Sequence, residues 1–361
     1  MERRKKIFFT VGSMNQTSQM VQIAKLLPEY DCYFSQFYSD SKLVNWIVRR
    51  GWMDRTILAG KFRADSERIL KQNNMKLDYR GLRFEDEYDL SILCTDLIVP
   101  KKARKSGKVM WIQEGMVDRV TIGSKLVKWL GLPRYLAMGT SLNGSSNICD
   151  VYCCASEGYQ DFFTKMGTER RKLIVTGIPN YDDLIQYKNN DFEHKGYVMV
   201  ATSDIRETFK KEDRIAFIKK CVEIANGRQL LFKFHPNEDF ERGTAEIRSV
   251  APADTLIYTA GNTNEMIANA VELITQWSTV VYVGMAFGIP VHSYFDVTEL
   301  RKLMPQQNGG TSAKKIAHIA RAFMKYEGDK TQFIEHYAAL CGQENVALQK
   351  GKNTILECPE F

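Results

Sequence analysis

Short apolar runs alternate with helix-spaced apolar positions along nearly the whole chain. KIFFTVG, residues 6–12, reads as a buried strand closing on a glycine. SQMVQIAKLLPEY follows, with Met20, Ile23, Ala24 and Leu27 at helical spacing. DCYFSQF is the next strand, and DLSILCTDLIVP, KVMWIQEG, DVYCCASEG and KLIVTGIP repeat the theme. The alternation implies a parallel sheet covered by helices. The polar stretch YDDLIQYKNNDFEHKG, residues 181–196, interrupts it. The pattern then resumes through YVMVATSD, a helix over 207–226, QLLFKFHP, TLIYTAG, a helix near 263–270, ELITQW, a helix near 279–288 and PVHSYFD. AKKIAHIARAFMKY returns to helical spacing.

This order predicts an α/β protein of two doubly wound, Rossmann-like domains facing a central cleft. The boundary falls in the polar stretch, giving domains 1–185 and 186–361, with the last helices as candidates to return to the first domain. In such sheets ligands sit beyond the carboxyl ends of the strands, so the residues that end each strand are the ones to examine for chemistry.

Composition agrees with two cores: 361 residues, 44% hydrophobic and 26% charged. No apolar run reaches the roughly 18–20 residues a membrane span needs. The basic start MERRKKIFFTVG has too short an apolar segment for a signal peptide, so a cytoplasmic protein is expected. The eight cysteines show no CxxC pairing and read as reduced, structural thiols. Net charge is +7, with clusters at Arg3–Lys6 and at Lys101, Lys102, Arg104, Lys105 and Lys108. These read either as solvated surface or as a contact with an anionic membrane face. No nucleic-acid motif is present.

Two stretches of the second half end strands in polar residues. LLFKFHPNED, residues 230–239, delivers Lys233, His235 and Pro236. The proline holds His235 in an extended conformation. ELITQWSTVVYVGMAFGIPVHSYFD, residues 272–296, places Ser278 and Thr279 where a helix should begin. Either hydroxyl suits a helix cap, and the amides there suit a phosphate.

Together, His235-Pro236, Ser278-Thr279 and the GIPV turn at 288–291 resemble the GT-B glycosyltransferase superfamily, in particular bacterial capsule, sialyl- and glycerophosphate-transferase branches. The resemblance spans most of residues 172–296. It implies a GT-B fold and a nucleotide-sugar donor as substrate, without a separate cofactor. His235, Ser278 and Thr279 would meet the donor's phosphates. VATSDIRETF, residues 200–209, adds Thr202, Ser203 and Arg206 as diphosphate contacts, or Ser203 and Glu207 as a capping box. VTGIPNYDDL, residues 175–184, resembles the segment joining the domains in nucleotide-sugar epimerases and glycerophosphotransferases, where Gly177 and Pro179 shape the turn.

In the first half, KVMWIQEGMVDR delivers Gln113, Glu114 and Gly115 at a strand end. It is similar to an acidic-acidic-Gly motif of sialyltransferase-related families, with Gln113 in place of the first acid. The resemblance implies Glu114 as the general base that takes an acceptor hydroxyl's proton, with Asp118 in reserve. Gly12 and Ser13, in FTVGSMNQTSQM, line the ligand side or form an ordinary turn; GxGxxG is absent. The acidic FEDEYDLS, residues 84–91, lacks an Asp-x-Asp metal pattern. SKLVKWLGLPRYLAMG, residues 124–139, reads as a packed helix or as an interfacial helix reaching a lipid-linked acceptor.

The expected function is therefore metal-independent, inverting transfer of a sugar to a surface-glycan or lipid-linked acceptor, with peripheral contact at the inner membrane face. The alternatives are a hydrolysing nucleotide-sugar 2-epimerase, a CDP-glycerol-type glycerophosphotransferase and a non-catalytic glycan-binding relative.

Overall fold

The computed structural model describes residues 3–349 apart from 55, 85, 86, 106, 138 and 207–210, with the backbone alone for 343–349. Glu207, and Glu85 and Asp86 of the acidic stretch, thus lie outside the described residues. The chain divides into two compact units, Met1–Asp182 with Pro305–Phe361, and Asp183–Met304.

The first unit holds seven strands: β1 (Lys6–Val11), β2 (Asp31–Gln36), β3 (Lys76–Leu77), β4 (Leu90–Leu93), β5 (Val109–Ile112), β6 (Val151–Cys154) and β7 (Leu173–Val175). All pairs are parallel, in the order β3-β2-β1-β4-β5-β6-β7. Every residue of β4, β5 and β6 is buried, which is why these strands read as unbroken apolar runs. The chain steps outward from β1 to β3 and then returns to β4 on the other side of β1. That reversal creates a switch point at the carboxyl ends of β1 and β4.

Among the described residues, six α-helices connect these strands: α1 (Met14–Lys25), α2 (Lys42–Arg49), α3 (Gly60–Gln72), α4 (Lys101–Lys105), α5 (Ile122–Trp129) and α6 (Glu157–Lys165). The unit is completed from far along the chain. A helix at Ser312–Lys325 inserts Ile316, Ala317, Ile319, Ala320 and Phe323, all buried, into the cluster that contains Ile7, Phe9, Met20 and Ile23. Full burial of each large side chain stabilises by about 1.5–3 kcal/mol.

The TGIP turn is docked on this returning segment. Gly177 has φ +77°, and a Cβ there would stand 2.3 Å from Ser312 Oγ and 2.5 Å from Asn308 Nδ2. Asn308 Nδ2 donates to Thr176 O (2.9 Å), and Ser312 N donates to Asp182 Oδ2 (2.6 Å). Gly177→Ala should therefore destabilise the first unit by about 2–4 kcal/mol, adding backbone strain to overpacking. Urea denaturation checks this, and an unchanged midpoint would refute it.

The second unit holds β8 (Val198–Ala201), β9 (Leu230–Lys233), β10 (Leu256–Tyr258), β11 (Glu272–Thr275) and β12 (Val291–His292). They are parallel in the order β10-β9-β8-β11-β12, with the switch point between β8 and β11. Its helices are α7 (Arg214–Ala225), α8 (Phe240–Val250), α9 (Thr263–Asn269), α10 (Val281–Phe287) and α11 (Val297–Lys302). α12 (Ser312–Lys325) and α13 (Phe333–Gln349) follow in the first unit.

Three expectations are revised. The helix expected over 207–226 begins at Arg214, where Asp213 accepts the Ala216 N–H as its cap, and ends at Asn226 in the left-handed region. The polar stretch 181–196, read only as an interruption, has packing of its own. It buries Leu184 in a 3-10 turn and sets Phe192 against Tyr197 and Tyr258, with ring centroids 6.1 and 5.4 Å apart. Cys32, Cys94, Cys149, Cys153, Cys154 and Cys221 are free thiols, whereas Cys341 is disulfide-bonded. Among the described residues no helix is long and apolar enough to cross a membrane.

Candidate functional site

At the switch point of the first unit, Ser13 caps α1. Its backbone is extended, its Oγ accepts from Gln16 N (3.1 Å), and Gln16 Oε1 accepts from Ser13 N (3.3 Å). This reciprocal box leaves one hydroxyl proton and one amide group to point elsewhere. Both go to Glu114, which follows β5. Ser13 Oγ donates to Glu114 Oε1 (2.8 Å) and Gln16 Nε2 donates to Glu114 Oε2 (2.7 Å). Since β4 lies between β1 and β5, Glu114 and Ser13 meet across the end of β4.

The Glu114 carboxyl is held above its ordinary value because burial outweighs the two hydrogen bonds that favour its charge. A carboxylate so tuned is a better proton acceptor than an exposed one. Gly12 makes the approach feasible, since a Cβ would meet Ile57 Cβ at 2.7 Å and Gln16 Oε1 at 2.9 Å. Gln113 is buried and structural. Its Nε2 donates to Gly115 O (2.9 Å) and its Oε1 accepts from Ala155 N (2.8 Å).

Asp118 is not brought to this cluster. It is exposed, and its Oδ2 accepts from Thr140 N (2.7 Å) and Thr140 Oγ1 (2.9 Å), pinning a loop 22 residues on. Gln16 escaped sequence reasoning, although the S-x-x-Q spacing from Ser13 was a readable capping signal.

In the second unit the ends of β8, β9 and β11 are tied together by a buried charge network. Glu238 is its hub. It accepts from the Thr202 hydroxyl, from His235 N (2.8 Å) and from Arg214 Nη2 (2.8 Å). Arg214 Nη2 also reaches Ser203 O (3.1 Å) and Glu212 Oε2 (3.0 Å). Glu212 in turn accepts from Gln276 Nε2 at the end of β11, two residues before Ser278. Thr202, Ser203 and His235 are thereby brought together, with Ser278 and Thr279 just beyond the anchored Gln276.

His235 keeps a partly exposed ring whose Nδ1 accepts from Asn237 N (3.3 Å) and lies 3.5 Å from Asp204 Oδ2. In the neutral ring that places the proton on Nε2. Pro236 follows within the same turn. The Ser203 hydroxyl is buried with no hydrogen-bond partner among the described residues.

Two expected phosphate contacts are otherwise engaged. Arg206 forms a bidentate pair with Glu246 (2.7 and 2.8 Å) and approaches Glu212. Lys233 is buried and donates to Phe234 O (2.9 Å), and burial depresses its ammonium. Neither expected hydroxyl caps α10 in the usual way. Its first residue follows Val280, whose N–H lies 3.4 Å from Ser278 Oγ. Glu238, Arg214 and Glu212 escaped the sequence reading, because buried acids and surface acids look alike in a sequence.

Two parallel, helix-covered sheets, each with a switch point whose strand ends carry polar residues, define the GT-B fold, and this chain has it. Solved structures match over almost the full length. A Listeria monocytogenes protein assigned as a UDP-N-acetylglucosamine 2-epimerase is 12% identical, with a TM-score of 0.53 and 99% of each chain covered. The Neisseria meningitidis UDP-GlcNAc 2-epimerase bound to UDP-GlcNAc is 11% identical, with a TM-score of 0.51, covering 94% of this chain and 100% of its own. S. aureus MnaA with UDP is 12% identical, with a TM-score of 0.50, covering 98% and 100%. No family model and no curated protein sequence matches the chain. At these identities the likeness is one of fold.

Proposed function

We propose that this chain is a nucleotide-sugar enzyme that transfers a sugar to an acceptor hydroxyl on a surface glycan or lipid-linked carrier, by metal-independent inverting displacement. The observation that carries this reading is Glu114, a half-buried carboxylate at a switch point, oriented by Ser13 and Gln16. Glu114 takes the acceptor proton as the oxygen attacks the anomeric carbon and the bond to the nucleotide diphosphate breaks. His235, Ser203, Ser278 and Thr279 supply donors for the charge that develops on the departing diphosphate. Thr202 serves indirectly, through its hydrogen bond to Glu238. Arg206 and Lys233 stabilise the strand ends rather than contact the ligand.

Calorimetry with UDP, GDP, CDP and CMP tests the donor half. His235→Ala and Ser278→Ala should each weaken the preferred nucleotide by roughly 1.5–3 kcal/mol, the value of a hydrogen bond to a charged group. Unchanged affinity in both variants would remove the assignment.

A second reading, hydrolysing 2-epimerisation, is supported by the full-length likeness to a protein assigned as a UDP-N-acetylglucosamine 2-epimerase and to a UDP-GlcNAc 2-epimerase solved with UDP-GlcNAc. The two differ in need. An epimerase consumes the nucleotide sugar alone, whereas a transferase turns over only with an acceptor present. A non-catalytic binder would do neither.

A further inference from the structure

The first unit leaves a large apolar surface uncovered. α5 buries only Ser124 and Val127. At 100° per residue, Ile122, Leu126, Trp129 and Leu130 share another face, and all are exposed, Ile122 at 87% and Trp129 at 79%. Leu132 and Leu136 continue the exposed surface beyond the helix. Lys125 and Lys128 line its margin. From Arg119 to Cys149 the chain contains four cationic residues and no acidic one.

A second stretch shares this chemistry. α2 buries only Val44, while Leu43, Trp46 and Trp52 are exposed. Lys42, Arg49 and Arg50 accompany them, and no acid occurs from Ser41 to Met53. The two stretches are neighbours. Tyr135, in the turn after α5, packs in one apolar cluster with Val44, Val48, Met53 and Ile98. Ile98 leads into the basic α4, whose Lys101 N donates to Asp40 Oδ2 (2.6 Å) just ahead of α2.

We propose that α2, α5 and the turn through Leu136 form one docking surface for an anionic lipid bilayer. Exposed tryptophan and leucine fit the acyl boundary, where indole N–H groups meet headgroups. The surrounding lysines and arginines fit anionic headgroups. A second copy of this chain is a poor occupant, because self-association would set basic margins against each other. Of the two readings of 124–139, this exposed apolar face favours the interfacial helix over the packed one. The proposal uses neither Glu114 nor His235, so it holds whichever reaction those residues perform.

Sedimentation of the full chain with vesicles provides the test. It should bind phosphatidylcholine vesicles containing about a third phosphatidylglycerol, bind pure phosphatidylcholine weakly, and be released by high salt. Trp129→Ser with Leu126→Ser should weaken vesicle binding about tenfold or more. Both side chains are exposed, so the melting temperature and nucleotide binding of the variant should match the parent. Lys125→Glu should reduce binding to anionic vesicles only. Failure to bind either vesicle, or equal binding by the double variant, overturns the proposal. So does a concentration-dependent dimer that the double variant abolishes in the absence of vesicle binding.

Discussion

Glu114→Gln should keep its fold and nucleotide affinity and lose turnover by a factor on the order of 10²–10⁴. Glutamine preserves the local geometry, because its carbonyl can accept from Gln16 Nε2 and its amide can donate to Ser13 Oγ once that hydroxyl turns. What it lacks is the capacity to take a proton. The pH dependence follows from the direction of the shift. Burial raises the Glu114 carboxyl, so parent activity should fall as pH drops through a value above that of an ordinary glutamate. Stability runs the opposite way. A carboxyl raised in the folded state favours folding below its unfolded value, and that contribution is lost as pH rises through the folded one. At neutral pH the glutamine variant should therefore melt no lower than the parent. Asp118→Asn should retain turnover, since that side chain is committed to Thr140. Near-normal turnover in Glu114→Gln, with loss in Asp118→Asn, would transfer the role of base to Asp118. Retention in both would move it elsewhere.

Arg214→Ala should cost about 3–5 kcal/mol of stability in the second unit, because it removes the cation shared by two buried carboxylates and leaves Glu238 without an opposite charge in its network. Arg214 is 3% exposed, and the side chains of its partners Glu212 and Glu238 are 4% and 2% exposed. Nucleotide binding should weaken as well, since Glu238 also holds the Thr202 hydroxyl and the backbone of His235. Combining Arg214→Ala with Glu238→Gln should cost less than the sum of the separate changes, as residues of one network do not add. Urea denaturation of the single and double variants measures both effects. A loss below about 1 kcal/mol in the single variant would mean the network is not what fixes these strand ends.

The strands were legible because a parallel sheet buried on both faces must be written as continuous apolar runs, as in VMWI and VYCC. The residues that end those strands were legible for the same reason, since polarity returns where the sheet stops. Glu114 and His235 were found that way. The partners of Glu114 were less visible, because Ser13 and Gln16 reach it from the far side of β4, a relation only topology provides. The Glu238–Arg214–Glu212 network was invisible, since nothing in HPNED distinguishes a buried acid from a solvated one. α5 stays open in the sequence between a packed and an interfacial helix. Its spacing is that of an amphipathic helix, but periodicity does not say whether the apolar face meets protein or something else. α12 posed a related problem, because its apolar stripe fits either sheet and only the fold assigns it.

That assignment bears on how the protein is made. The first 182 residues leave the ribosome without the helix that covers Ile7, Phe9 and Ile92 on one face of their sheet. Roughly 140 more residues must be translated before Phe323 arrives, a delay of about 7–28 s at 5–20 residues per second. Before that interval ends, a nascent sheet with an open apolar face coexists with a second unit that is contiguous in sequence and complete at Met304. The order of emergence thus makes the second-encoded unit the first that can be completed, and leaves one apolar face of the earlier one open until the chain comes back to it.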